Sequence, residues 1–230
     1  MITNNVIGRT FFLRINDEGG TCFTIDIDGR QYIITAKHLL AKKAETACAY
    51  IYHANDWRDA KLHVVGHAPN GIDISVLASD FRLSGDLPLP ADSDGLTYGQ
   101  DVYFLGFPYG WHVDPGSITN DYPLPFVKKA IVSSIFRDSA GRHIIYLDGH
   151  NNHGFSGGPV VFQNGARDFQ VAAVIAGYNY VKEPIYYDST PLCSESQKTF
   201  FYKYNTGIVV TYGIKHAVEI IKQNPIGLKL

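Results

Sequence analysis

The feature that most constrains the fold is a β-hairpin signal near the start of the chain. Residues 22–27 alternate apolar and polar side chains, Asp28 and Gly29 follow, and residues 31–36 form a second apolar segment. Asp-Gly between two such segments is typical of the tight turn that joins antiparallel strands. We therefore predict a hairpin here, with its second strand ending just before His38.

The same pattern of short apolar segments separated by turn residues continues along the chain and predicts an all-β fold of about a dozen strands. Residues 81–98, rich in Pro, Gly and Asp, are interpreted as the connection between two halves, and residues 178–201 as a long irregular segment. Helical spacing of apolar residues predicts one helix over 214–223. The other predicted strands cover residues 6–15, 47–53, 61–65, 72–77, 101–107, 128–136, 144–147, 160–162, 171–176 and 207–211.

Composition limits the cellular compartments and the kinds of binding partner that we expect for this chain. Hydrophobic residues make up 45% of the 230, and the formal net charge is −2, so nothing favours a nucleic-acid or membrane partner. The N-terminus lacks the features of a signal peptide, and three cysteines (Cys22, Cys48, Cys193) are too few for a disulfide framework. We expect a cytoplasmic protein, or a periplasmic or secreted one if the N-terminus has been trimmed.

A glycine-rich turn carries the first candidate for chemistry. Residues 152–160 read Asn-His-Gly-Phe-Ser-Gly-Gly-Pro-Val, with Ser156 in the turn and a predicted strand after it. Glycines allow sharp turns and close approach of backbone N–H groups, and a serine beside such donors can serve as a nucleophile with an oxyanion hole. In isolation the same letters also fit a plain turn between strands.

Two other stretches supply a base and a carboxylate. Thr-Ala-Lys-His at 35–38 ends at His38, and Asp-Ile-Ser-Val-Leu at 73–77 begins with Asp73. Together with Gly-Phe-Ser-Gly-Gly-Pro at 154–159, they resemble the three active-site motifs of chymotrypsin-like serine proteases, in the same order. Residues 99–110 and 129–133 are similar to strands of the bacterial HtrA-type branch, so the resemblance covers about residues 19–222.

The resemblance implies a fold and a mechanism. It implies two six-stranded antiparallel β-barrels, over about 1–90 and 96–212, followed by a helix over about 214–223. The implied activity is that of a serine endopeptidase working through an acyl-enzyme without cofactor or metal. Ser156 would be the nucleophile, His38 the general base and Asp73 its orienting carboxylate, with the N–H groups of Gly154 and Ser156 as the oxyanion hole.

Departures from the family pattern are also informative. Secreted trypsin-like enzymes have an Asp before the nucleophile, which pairs with a new N-terminus after activation cleavage. Here Phe155 takes that position and no Ile-Val-Gly-Gly start is present. We therefore expect no activation of that kind, and the turn must be held in shape by something else. We also expect neither a PDZ domain after the protease nor a disulfide beside His38.

For substrate binding, the resemblance implies that His150 lies near the base of the primary specificity pocket. It implies that Ala176, Gly177 and Tyr178 form the edge strand that pairs with substrate, and that Gly207 faces the pocket. No Asp stands at position 150, so a preference for Lys or Arg before the cleaved bond is not indicated, and we expect a small or apolar residue there. His150 and His153 lack clear co-ligands, so we predict no metal site.

Two other functions remain open at this point. One is a protease-fold sensor or binding module held in a latent state, and the other is an esterase that uses the same residues. A polypeptide substrate is the expected partner, with other domains or a regulatory partner left open.

Overall fold

A computed structural model describes residues 1–15, 18–40, 46–53, 56–113, 116, 123–165, 168–187, 190–191 and 200–230. Much of the predicted loop over 111–125, together with Cys193, lies outside the described residues. Within them, no helix is both long and apolar enough to cross a membrane.

The first half of the chain forms a ring of strands. The elements are α1 (Asn4–Ile7), β1 (Thr10–Ile15), β2 (Glu18–Ile27), β3 (Arg30–Thr35), β4 (Thr46–His53), β5 (Asp56–His67) and β6 (Ser75–Ser79). They pair antiparallel in the order β3-β2-β1-β4-β5-β6, and β6 pairs back onto β3. The predicted hairpin is confirmed: Ile27 pairs with Arg30, and Asp28 and Gly29 both have positive φ, as a tight hairpin turn requires.

The second half is a closed six-stranded barrel in the order β10-β11-β14-β9-β8-β7. Its strands are β7 (Asp101–Gly106), β8 (Phe126–Arg137), β9 (His143–Asp148), β10 (Pro159–Gln163), β11 (Phe169–Pro184) and β14 (Phe201–Gly213). Two short strands, β12 (Tyr186–Tyr187) and β13 (Thr190–Pro191), pair with each other. The all-β prediction with a C-terminal helix is confirmed, with one closed six-stranded barrel in the second half and a six-stranded ring in the first.

The C-terminal elements pack on the first half. Helix α2 (Lys215–Gln223) buries Ile220 and Ile221 in the cluster between the halves, and β15 (Leu228–Lys229) pairs with β3. That cluster takes side chains from both rings, while each ring has its own core as well. A shared apolar core therefore holds the two halves against each other.

Two predicted segments need correction. The strand predicted over 6–15 begins only at Thr10, because α1 occupies Asn4–Ile7; a short apolar run cannot distinguish one helical turn from a strand. The segment predicted to be irregular over 178–201 contains the far ends of two paired strands, where Pro184 pairs with Phe201. None of the side chains of this β11–β14 ribbon over 179–184 and 201–208 is buried, so the alternation of buried and exposed positions that reveals a strand is absent.

Candidate active site

Strand pairing brings His38 and Asp73 together. His38 lies in a single 3₁₀ turn (Lys37–Leu39) directly after β3, and Asp73 lies two residues before β6. Thr35 pairs with Ser75 in the antiparallel β3–β6 ladder. His38, which follows β3, and Asp73, which precedes β6, therefore lie at the same end of this strand pair. Asp73 Oδ1 accepts a hydrogen bond from the His38 backbone N–H at 2.8 Å, and Asp73 Oδ2 lies 2.6 Å from His38 Nδ1.

This pairing fixes the chemistry of the imidazole. The hydrogen bond to Asp73 raises the pKa of His38, burial opposes the rise, and the charges of Asp73 and Glu18 add to it. With its proton on Nδ1 facing the carboxylate, the neutral ring presents Nε2 as a free acceptor. The His38 side chain is 46% exposed, so this nitrogen can meet a ligand.

Two glycines allow the turn around Ser156 to pack closely against the backbone of both halves. Gly154 has φ +99° and Gly157 has φ +83°, values that side chains with a Cβ rarely adopt. A Cβ at Gly154 would lie 2.2 Å from the carbonyl oxygen of Phe107, and one at Gly157 would lie 2.2 Å from that of Thr21. Glycine is therefore required at both positions for this close approach.

The carbonyl groups of the turn are bonded to surrounding groups. The His153 carbonyl accepts from the Tyr109 N–H at 2.8 Å, and the Ser156 carbonyl accepts from the Thr21 N–H at 2.9 Å. The Gly154 carbonyl accepts from the Thr21 hydroxyl at 2.7 Å. Across the described chain, the N–H groups of Gly154 and Ser156 have no acceptor, which leaves both donors for a ligand.

The Ser156 hydroxyl itself makes one long contact. Its Oγ lies 3.5 Å from the carbonyl oxygen of Ala176, and no hydrogen bond joins Ser156 to His38 among the described residues. Both side chains nevertheless line the same cavity, of about 360 Å³. The distance between a nucleophile and its general base often shortens only when substrate binds.

The cavity contains some of the residues predicted to bind substrate. Ala176, Gly177 and Tyr178 line it, whereas His150 and Gly207 are not among its lining residues. His150 is exposed, and its carbonyl accepts a hydrogen bond from the Lys128 ammonium. The remaining lining residues are Asn151, Asn152, His153, Tyr180, Lys203, Tyr204 and Asn205.

Two asparagines that sequence reasoning missed support this cavity. Asn151 Nδ2 donates to the Gly177 carbonyl at 3.0 Å, and Asn205 Nδ2 donates to the Asn151 carbonyl at 2.7 Å. Asn151 is 1% exposed, and its Oδ1 has no partner in the described structure. Asn205 belongs to the ribbon that the sequence left without secondary structure, so no local signal pointed to it.

The described part of the chain has no group of candidate metal ligands, and the thiol of Cys22 is buried. No three His, Cys, Asp or Glu side chains there are grouped as metal ligands. Cys22 is a buried free thiol, and burial raises its pKa well above the ordinary value, which disfavours the nucleophilic thiolate.

Comparison with solved structures gives the same fold. The Rv3671c protease from M. tuberculosis superposes in its active form with a TM-score of 0.64 at 17% identity, covering 98% of this chain and 84% of that one. Its inactive form gives 0.62 at 18%, covering 95% and 90%. The HtrA-type protease AlgW with tripeptide gives 0.60 at 21%, covering 96% of this chain and 61% of AlgW.

A family model described as "Trypsin-like peptidase domain" matches residues 20–166. The matched region contains His38, Asp73 and Ser156 and spans more than half of the sequence. The chain therefore belongs to the trypsin-like peptidase family.

Proposed function

We propose that this protein is a serine endopeptidase whose nucleophile is Ser156. The observation that carries the proposal is the pair of contacts from Asp73 to His38, beside a cavity that His38 shares with Ser156. A base held by an orienting carboxylate, with a hydroxyl in the same cavity as the base, supplies the groups that acyl transfer requires.

In the proposed reaction, Ser156 Oγ attacks the carbonyl carbon of the scissile peptide bond while its proton passes to His38 Nε2. The N–H groups of Gly154 and Ser156 donate to the oxyanion that forms. His38 then gives its proton to the departing amine, which leaves an acyl-enzyme on Ser156. Water, deprotonated by His38, attacks the acyl carbon, and the proton returns to Ser156 Oγ as the carboxylic acid is released.

A latent protease-fold module is the second candidate. The observation favouring it is that the Ser156 hydroxyl contacts Ala176 rather than His38. The carbonyl groups of His153 and Gly154 count against it, because both are bonded to groups outside the oxyanion hole.

Labelling with a fluorophosphonate probe tests the proposal. We expect the wild type to be labelled, Ser156→Ala to remain unlabelled, and Ser133→Ala, which removes an exposed strand hydroxyl, to label like the wild type. A folded wild type that neither labels nor cleaves a peptide library would favour latency. Turnover of esters without turnover of matched peptides would identify an esterase instead.

A further inference from the structure

The turn before Ser156 has an internal support that the family motifs do not include. Phe155 is fully buried, and its ring packs edge-on against Phe104 with centroids 5.0 Å apart. An aromatic ring there cannot form the ion pair that an Asp makes with a new N-terminus in cleavage-activated relatives. Some other interaction must fix the backbone between residues 150 and 156.

Lys128, on β8, supplies that interaction. Its Nζ lies 2.6 Å from the His150 carbonyl oxygen and 2.6 Å from Asn152 Oδ1, so that it donates to both. The same nitrogen lies 5.3 Å from the ring centroid of Phe155, within the range of a cation–π interaction. One ammonium group thus contacts residues at three points of the segment that leads to the nucleophile.

The charge of Lys128 is stabilised by neutral groups. The side chain is partly buried, and burial lowers the pKa of Lys128. A carbonyl oxygen, an amide oxygen and a ring face are its partners here. Moving a partly desolvated ammonium away from these acceptors would cost free energy. The contacts therefore favour one arrangement of the turn.

The other side of the turn is fixed independently by Thr21 of the first half and Tyr109 of the second half. Thr21 bonds the carbonyl groups of Gly154 and Ser156, and Tyr109 bonds that of His153. Lys128 contacts His150, Asn152 and Phe155, which these bonds do not reach, while Asn205 holds the Asn151 carbonyl between them. Displacing these residues would move the N–H groups proposed to bind the oxyanion.

We propose that Lys128 is a positioning residue for the oxyanion-binding turn, an internal cation that replaces the new N-terminus of cleavage-activated proteases. The inference rests on the proposed function, and it implies that the turn is shaped without any cleavage of the chain. Lys128 acts through the backbone of residues 150–156 and does not itself touch the reacting atoms.

Three variants test the inference. Lys128→Met keeps an unbranched apolar stem without donors or charge, Lys128→Arg keeps both, and Lys129→Met is the matched control. Lys129 neighbours Lys128, is exposed, and pairs with Asp101 at 2.7 Å, away from the turn.

For Lys128→Met we expect kcat and the rate of fluorophosphonate labelling to fall by about 10- to 100-fold with little change in KM, since a misplaced oxyanion donor lowers transition-state binding. Lys128→Arg should recover part of the loss, and Lys129→Met should match the wild type. Amide hydrogen exchange at residues 150–157 should quicken in Lys128→Met only. Wild-type labelling and turnover rates in Lys128→Met would overturn the inference.

Hydrogen exchange separates this inference from the proposed function. If the wild type is not labelled, the proposed function fails, yet faster exchange at residues 150–157 in Lys128→Met would still support the positioning role. Unchanged exchange there would overturn that role whether or not the protein is active. If Lys128→Met does not fold, Lys128→Gln, which keeps a short donor but loses the charge, takes its place: slower labelling and faster exchange at residues 150–157 would support the role, and wild-type values for both would overturn it.

Discussion

At the scale of single residues, the contact between Asp73 and His38 predicts how activity depends on pH. Asp73 raises the pKa of His38, and the proposed mechanism needs the neutral ring. Activity should therefore be lost as pH falls through the raised pKa and be gained as pH rises above it. We expect kcat/KM to increase with pH with a midpoint above the ordinary histidine value of about 6.5.

Replacing Asp73 by Asn checks this argument. The variant removes the charge that favours the protonated ring, so the midpoint should move to lower pH, and kcat should fall by about 10⁴-fold because the tautomer is no longer fixed. A pH profile of kcat/KM with the same midpoint in both proteins would contradict the assignment. His63→Gln is a suitable control, since His63 pairs with Asp80 on the surface of the first half.

The residues proposed for catalysis were predictable because each lies in a short motif with local spacing. Thr21 was not predictable in this way, although it contacts the same turn. Its hydroxyl meets the Gly154 carbonyl across 133 positions of sequence, and only the packing of the two halves brings them together. A threonine within an alternating strand gives no local sign of such a role.

At the scale of elements, Thr21 connects β2 to the turn that precedes β10. Its hydroxyl donates to the Gly154 carbonyl at 2.7 Å and accepts from the Phe107 N–H at 3.2 Å. Thr21→Val keeps the shape but leaves both backbone groups without a partner. We expect it to lower the free energy of unfolding by about 1–3 kcal/mol and to slow fluorophosphonate labelling.

Thr21→Ser is the matched control, because it keeps the hydroxyl and loses only a methyl group. Denaturant unfolding and labelling rates should place it closer to the wild type than Thr21→Val. If Val is tolerated as well as Ser in both measurements, the hydroxyl does not link the two elements.

The strands themselves were predictable to different degrees. Those with one buried face, such as β2 and β3, show the alternation that marks a half-buried strand. The β11–β14 ribbon does not, since side chains on it such as Tyr180 and Tyr202 are about half exposed. These residues form strands because they pair with a distant partner, which no local pattern reveals. For the same reason the cavity residues farther along the ribbon were missed: Tyr180, Lys203, Tyr204 and Asn205.

At the scale of the whole molecule, the cavity beside Ser156 predicts which substrates are excluded. Among the described residues that line it, none is Asp or Glu, while Lys203 is present. The Lys203 ammonium lies 4.7 Å from the ring centroid of Tyr180, another lining residue. A cationic substrate side chain would enter without a counter-ion and would meet a charge of the same sign.

We therefore expect peptides with Lys before the cleaved bond to be turned over at least about tenfold more slowly than the same peptides with Met. Met has a similar length and no charge, and a tenfold difference corresponds to about 1.4 kcal/mol. Lys203→Glu should raise turnover of the Lys peptide and leave the Met peptide less affected, with Lys203→Gln intermediate. The measurement is kcat/KM for the peptide pair at low and high salt, since screening should narrow the gap if charge causes it. Faster cleavage of the Lys peptide by the wild type would mean that a group outside the lining residues binds the cation, and the electrostatic account of the cavity would then be wrong.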